Sequence, residues 1–469
     1  LAHDLRTLIR DGGLRPGDPL PSLRDQSRLR RVSLGTVQEA YRLLEAEGLI
    51  RAVPQSGFRV VGTGRESQPF TPEVIGLDPS VYGLFRVDRA FKQAHRDPQE
   101  PTVANFAVAA GEVPPALLAR IKGCCVDILT SRPEVALDYS ISPGPEELRL
   151  ELSRYLATCG AAVPADALSV TSGCTESLTL ALRACCREGD AVAVEGPCSF
   201  NILSQLVMLR YRPVEVPVGP DGLDLGALAQ TLASQSITAL IVSPNFNNPT
   251  GALMPEAARK DLVDLCDRHG VRIIEDDVYG DLPQGPVRPR PLKALEGRLP
   301  ILYCSSFSKT LAPGLRVGLL AAGDLQSRVE SLGAFTTLAG NSLAQLVVAR
   351  LLREGDYGRH LRHARRSLAA HFEAMAAVVT EAFPPGTRVS SPAGGLVLWV
   401  ALPPGLGGQA VYEASLERNV LVAPGNLFST RGTFQGHIRL NAGVWGPRLE
   451  EGLRIVGAQA SRLYGSLRA

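Results

Sequence analysis

The run Ile301-Leu302-Tyr303-Cys304-Ser305-Ser306-Phe307-Ser308-Lys309, continued by Thr310-Leu311-Ala312-Pro313-Gly314-Leu315-Arg316-Val317-Gly318, decides how this chain is read. It opens as an apolar β-type run and ends as a Pro-Gly loop, with a lysine between the two, seven residues before an arginine. A lysine placed there can form a Schiff base with an aldehyde, and serine hydroxyls together with an arginine can donate hydrogen bonds to a phosphate. Taken alone, the segment is equally an ordinary loop with one exposed lysine. The chain has only five lysines (Lys92, Lys122, Lys260, Lys293 and Lys309) against 44 arginines, a base-composition bias that narrows the search for a reactive one.

Moving upstream, Val271 to Glu275 reads as a buried strand ended by Asp276, which stands 33 residues before Lys309, room for one more strand and helix. A carboxylate at that point would keep a pyridine nitrogen protonated and make the ring an electron sink. Tyr279 is spaced to reach a ring hydroxyl; the plain alternative is that Glu275, Asp276 and Asp277 only cap a sheet edge. Asn248-Pro249-Thr250-Gly251 places an amide after the preceding strand. Ser172-Gly173-Cys174-Thr175-Glu176 is a small-residue turn opening a helix through Leu182, whose N–H groups could receive a phosphate. From about Thr102 onward, runs such as AVAVEG, ALIVSPN and RIIEDDVYG alternate with helical patterns, which predicts an α/β domain with a mainly parallel sheet covered by helices. Ligands collect at the strand ends of such sheets. After about Ser342 an arginine-rich helical pattern leads into a smaller α+β part, with strands near Gly395 to Ala401 and His437 to Asn441.

The order S-G-x, N-P-x-G, D-x-x-Y, then S-x-S-K with a later arginine resembles the class I, fold-type I aminotransferase family, from about Phe106 to the C-terminus. The resemblance implies pyridoxal 5'-phosphate as cofactor and Lys309 as its Schiff-base partner and catalytic residue. It implies Asp276 as partner of the ring nitrogen, and Tyr279 and Asn248 as partners of the ring oxygen. Ser306, Ser308 and Arg316 would bind the phosphate, with Ser172, Gly173 and Cys174 completing the cradle. Tyr139, in Tyr139-Ser140-Ile141-Ser142-Pro143-Gly144, matches the tyrosine that reaches a neighbouring subunit's phosphate, and Arg439 matches the arginine that pairs with a substrate carboxylate. The chain departs from the pattern after Glu195-Gly196-Pro197, where Ser199 holds the usual aromatic position, so Phe200 would stack on the ring instead.

The first 61 residues read differently. A helix from Leu1 to about Ile9, a Gly-Pro loop, a short helix from about Ser22 to Arg30, a helix capped by Ser33 and stopped by Gly48, and a hairpin around Pro54-Gln55-Ser56-Gly57 follow the order of a winged helix-turn-helix. Ten arginines stand against seven acids there, and Arg28, Arg30 and Arg31 precede the expected recognition helix, a placement that suits phosphate contact; a small three-helix domain with solvated arginines would look similar. Leu20-Pro21-Ser22-Leu23-Arg24, Ser33-Leu34-Gly35-Thr36-Val37 and Ser56-Gly57-Phe58-Arg59-Val60 resemble the GntR family, which implies double-stranded DNA contacts by Arg24, Ser33 and Thr36 and a wing turn at Gly57. Leu34 and Gly35 stand where that family often has polar residues.

At 469 residues, 45% apolar and with a formal charge of +2, the chain predicts two or three domains and no polybasic character overall. The expected layout is a winged helix at 1–61, a linker with a possible helix at 62–101, and the aminotransferase-like domain at 102–469, divided near 341/342. A chain opening at Leu1 inside a helical pattern suggests residues upstream. With no membrane-span or signal-peptide pattern a cytoplasmic protein is expected, and nine cysteines without CxxC spacing suggest free thiols and no metal. The two halves together resemble the MocR subfamily. That resemblance implies a homodimeric transcription regulator sensing the cofactor or an amine or amino-acid effector; an active aminotransferase is the alternative, and a decarboxylase or lyase a third.

Overall fold

The computed structural model describes residues 1–10, 14, 17–54, 57–61, 104–295 and 297–468. The chain divides into two compact units between Thr71 and Pro72. The expected linker at 62–101 and Ser56 lie outside the described residues.

In the first unit three helices, α1 (Ala2–Arg10), α2 (Leu23–Arg30) and α3 (Leu34–Ala46), precede an antiparallel hairpin of β1 (Ile50–Val53) and β2 (Gly57–Val60). Ser22 and Ser33 start α2 and α3 by accepting the N–H groups of Asp25 and Thr36, which satisfies donors a helix leaves free at its first turn. Along α3, Val37, Ala40, Tyr41 and Leu44 recur at helical spacing and face inward onto Leu5, Ile9, Leu20, Leu49, Ile50 and Val60. The Tyr41 hydroxyl donates to the Pro21 carbonyl at 2.9 Å, and its ring meets Phe58 edge-on at 5.1 Å, so one side chain ties the loop before α2 to the hairpin. Gly57 has φ +79, a left-handed conformation that suits glycine in the hairpin turn.

The second unit is built on an eight-stranded sheet. Its spatial order is Ser169–Thr171, Gly318–Ala321, Leu302–Ser306, Arg272–Asp276, Ala239–Val242, Ala191–Gly196, Arg212–Gly219 and Gly222–Leu223. Gly318–Ala321 runs antiparallel to both neighbours, and Gly222–Leu223 folds back on its predecessor; the other strands run one way. Both faces are buried, which is why the strands read as nearly continuous apolar runs. Val192, Val194, Ile241 and Ile274 enter one core, whereas Ala193, Leu240, Val242 and Ile273 enter the other, the alternation that β geometry imposes. A smaller antiparallel sheet, ordered Arg388–Val389, Val397–Ala401, His437–Asn441, Ala423–Pro424, joins the long helices Asp356–Ala382 and Pro447–Arg468. No helix among the described residues is long and apolar enough to cross a membrane.

A buried ion network lies beyond the end of the central strand Arg272–Asp276. Asp277 accepts from Arg288 Nη2 at 2.5 Å, Asn245 Nδ2 at 2.8 Å and the Tyr303 hydroxyl at 2.8 Å. Asp281 accepts from Arg288 Nε at 2.7 Å, from the Tyr357 hydroxyl at 2.6 Å and from Tyr155. Burial pushes the Asp281 carboxyl up, but Arg288 and the two phenols more than reverse this and hold it below the usual range. The Tyr357 hydroxyl also meets that of Thr310 at 2.9 Å. Removing the cation with Arg288→Ala would leave two buried carboxylates facing each other, so the urea midpoint of the second unit should fall by the equivalent of about 3–5 kcal/mol. Arg288→Lys, lacking the planar fork, should recover only part, and an unchanged midpoint for the alanine variant would contradict this account.

Candidate functional site

The parallel strands deliver their C-terminal ends to one edge of the sheet, and the residues singled out in the sequence gather there. Asp276 is the last residue of its strand, and the Cys174 thiol donates to its Oδ1 at 3.4 Å. Burial pushes Asp276 up to about 6; Cys174, the Val278 N–H and Lys309 counteract, while Asp277 adds to the rise. Burial, with neighbouring Asp276, also pushes the Cys174 thiol well up, so it stays a protonated donor. Cys174 therefore turns its sulfur toward Asp276, while its backbone stays in the turn that opens the helix.

Lys309 follows the strand Leu302–Ser306 by three residues and keeps part of its surface open. Its Nζ donates to the Ala109 carbonyl at 2.5 Å. Its pKa is lowered to about 8, chiefly by burial and with help from Arg439 and Arg316, while Asp276 pulls the other way. An amine in that range has a far larger neutral fraction near physiological pH than an ordinary lysine, and the neutral form can attack a carbonyl.

Arg316 forms one side of an anion cradle. Its Nη1 donates to Ser308 Oγ at 3.0 Å and its Nη2 to the Ser172 carbonyl at 2.6 Å, while Ser306 Oγ accepts the Ser308 N–H at 3.4 Å. Gly173 has φ +107, and a Cβ there would lie 2.6 Å from Arg316 Nη2, so a side chain would push the guanidinium aside. Helix Cys174–Cys185 begins directly after it with no side-chain cap. Uncapped N–H groups beside an arginine and two serines form a donor set that fits a phosphate.

Arg439 lies on the strand His437–Asn441 and is only 1% exposed. One of its Nη atoms donates to the Ala107 carbonyl, Nε has no hydrogen-bond partner, and its carbon centre sits 5.6 Å over the Phe428 ring. Burial lowers the guanidinium to about 10, partly offset by Tyr279, and no carboxylate pairs with it among the described residues. Such a group fits an incoming carboxylate. Tyr279 is buried, and burial raises its phenol. Asn248 Oδ1 is buried without a partner, a gap that a donor on a bound group would fill.

Two further sequence-selected residues flank this cluster. Phe200 opens the helix Phe200–Met208 and meets Phe428 edge-on at 5.7 Å. Tyr139 is 73% exposed, and among the described residues no side-chain hydrogen bond or ring contact ties it to the cluster. In the first unit, the Ser33 and Thr36 hydroxyls lie 2.8 Å apart at the start of α3, where Ser33 is the cap, and Arg24 is exposed on α2. Sequence reasoning missed Asn245, Phe428 and the carbonyls of Ala107 and Ala109. Only Asn245, three residues before the chosen Asn248, lay near a recognised motif.

Comparison with known proteins divides the chain the same way. The gntR family of bacterial regulatory proteins matches residues 1–60, and the aminotransferase class I and II family matches residues 116–455. An Escherichia coli (strain K12) protein described as an uncharacterized HTH-type transcriptional regulator, YdcR, is 33% identical over 465 residues, covering 97% of each chain. A 2-aminoadipate transaminase of Thermus thermophilus is 32% identical over 367 residues, 76% of this chain and 90% of that one. Among solved structures, LysN, the alpha-aminoadipate aminotransferase of Thermus thermophilus complexed with N-(5'-phosphopyridoxyl)-L-leucine, superposes with a TM-score of 0.73 at 29% identity, covering 81% of this chain and 99% of its own.

The lowered Lys309 pKa gives a direct test. Brief acetylation at graded pH, read by mass spectrometry of the Lys309 peptide, should reach half its maximal rate near pH 8. Asp276→Asn removes the anion that favours the charged amine and should move that midpoint lower. A midpoint at the ordinary lysine value would contradict the geometry.

Proposed function

The chain belongs to the aminotransferase class I and II family and carries a gntR-family domain ahead of it, the MocR layout; from that premise we propose a transcription regulator that binds DNA through its N-terminal unit and senses pyridoxal phosphate, or an amine captured by it, through the second. The observation that carries this reading is the part-buried Lys309 between Asp276 and the cradle at Arg316, in one chain with exposed arginines at a helix-turn-helix.

When bound, pyridoxal phosphate supplies an aldehyde that captures amines and a ring that withdraws electrons from them. Arg316, Ser308, Ser306 and the first turn after Gly173 would hold its phosphate. Asp276 would face the ring nitrogen, Asn248 and Tyr279 the ring oxygen, and Lys309 would hold the aldehyde carbon. Cys174 keeps the Asp276 carboxylate oriented, and Phe200 would cover the ring. Arg439 would receive a carboxylate and so favour amino acids. Lys309, once displaced by an amine, can accept or return a proton at the adjacent carbon, which supports amino-group exchange with a 2-oxo acid as a second reading.

In the first unit Arg24 and the neighbouring Arg28, Arg30 and Arg31 would contact DNA phosphates, with Ser33 and Thr36 at the helix start and the Gly57 turn shaping the wing. A homodimer in the cytoplasm accounts for the exposed apolar residues around Tyr139. Leu137, Ile141 and Leu338 are exposed, Phe335 is 92% exposed, and pairing of Ile141 with Ala339 brings the two stretches together. In such a dimer Tyr139 would serve the neighbouring subunit's phosphate.

Binding to the DNA upstream of its own gene, at fixed salt, should change about tenfold or more on adding pyridoxal phosphate or a responsive amine, the size typical of coupled sites. Lys309→Ala should abolish that response without abolishing DNA binding. Equal affinity across free, cofactor-bound and amine-treated protein, with release of a 2-oxo acid from amino acids, would favour the enzyme reading instead. For the dimer, Phe335→Asp should convert the sedimenting species to a monomer and weaken cofactor binding together with it.

A further inference from the structure

Glu215 lies in the middle of the strand Arg212–Gly219, buried, and no ion pair to a cation is found for it among the described residues. A carboxylate so placed persists only if hydrogen bonds replace its water. Among the described residues, its side-chain hydrogen bonds come from one short stretch of the C-terminal part. Ser429 Oγ donates at 2.8 Å, Thr430 Oγ1 at 2.7 Å, and the Thr430 N–H donates as well. The same stretch is tied a second time, to the loop after the strand Ala191–Gly196, where the Cys198 N–H donates to the Phe428 carbonyl at 2.9 Å. Gly196, on the neighbouring strand, leaves room for this: a Cβ there would approach Glu215 Cβ to 3.2 Å.

What the clamp holds in place is Phe428. Its ring is fully buried, edge-on to Phe200 at 5.7 Å and to Trp399 at 5.4 Å, and carries the Arg439 guanidinium at 5.6 Å. Apart from that face, the Arg439 side chain is held among the described residues by the Ala107 carbonyl, with Nε left over. We infer that Glu215 is a positioning residue for carboxylate recognition: through Ser429 and Thr430 it fixes Phe428 under Arg439, so that the guanidinium is presented to the carboxylate of an α-amino acid. The ligand class is then amino acids rather than amines lacking a carboxylate. This deepens the amine-sensing reading and rests on it.

The test uses the full-length cofactor-loaded protein and three calorimetric probes: L-leucine, 4-methylpentanoate, which keeps only the carboxylate, and 3-methylbutylamine, which keeps only the amine. Glu215→Ala should weaken both carboxylate probes about tenfold while 3-methylbutylamine changes less than about twofold. Glu215→Gln, which retains an acceptor of similar reach, should recover part of the loss. Should the alanine variant not fold, Ser429→Ala with Thr430→Val removes the donors from the other side of the clamp and should give the same split. Equal losses for the carboxylate and amine probes, no loss for the carboxylates, or no binding of 4-methylpentanoate to the parent protein would overturn the inference. Failure of the amine-sensing reading is separate: it would appear as no change in cofactor absorbance with 3-methylbutylamine, while the 4-methylpentanoate titration still reports on Glu215.

Discussion

Arg288 is the cation on which the geometry of the second unit turns. It bridges Asp277, directly after the strand that ends in Asp276, and Asp281, whose tyrosine partner Tyr357 reaches Thr310, the residue after Lys309. One guanidinium thereby ties the backbone on both sides of the site into a common network. Buried ion pairs seldom stabilise more than a well-packed apolar replacement would, because desolvation offsets their attraction. Their strength is in fixing direction, and Asp276 and Lys309 are useful to one another only in a fixed mutual orientation. Asn245 belongs to the same network: it donates to Asp277 and accepts from the buried Arg259.

Legibility in the sequence followed the physics of each element. The buried strands were readable because double-sided burial makes nearly continuous apolar runs such as Ala191–Gly196 and Ala239–Val242. The starts of α2 and α3 were readable because serine at a helix start has a local job, done within three residues of chain. Lys309, Asp276 and Arg316 were found through motif order, and the structure brings them together. Long-range roles left no such trace. Glu215 in RPVEVPVG resembles an ordinary outward-facing strand residue, and its partners stand more than 200 positions away. The Ala107 and Ala109 carbonyls carry no side-chain signature at all. Motif order placed the Cys174 turn in the phosphate cradle through its backbone, but the second role of its side chain, the thiol's hydrogen bond to Asp276, is encoded by no sequence pattern.

The hydroxyls of Ser33 and Thr36 illustrate a further ambiguity. A serine and a threonine at the N-terminal end of a recognition helix read equally as helix caps and as phosphate contacts. Here the Ser33 hydroxyl accepts the Thr36 N–H at 3.1 Å, so its capping role is already filled in the free protein. A hydroxyl has two lone pairs and one proton, so capping leaves Ser33 with capacity to spare. The two roles are compatible, and the cap would also hold the group in a fixed place for DNA.

The charge balance of the site suggests how occupancy could act on the rest of the chain. Lys309, Arg316 and Arg439 converge with Asp276 as the one carboxylate among Lys309's main electrostatic influences, and Lys309 responds by shifting toward its neutral form. Arg439 shifts in the same direction because it is desolvated without an anion. A group bringing a phosphate and a carboxylate would supply both missing charges to donors already in place. Any arrangement of the second unit that keeps these donors convergent would then be favoured by the ligand over arrangements that let them separate, which is the differential affinity that a ligand-driven population shift requires. Two buried polar devices keep these donors in place: the Arg288 network beside Asp276 and Lys309, and the clamp from Glu215 to Ser429 and Thr430 beside Phe428 and Arg439.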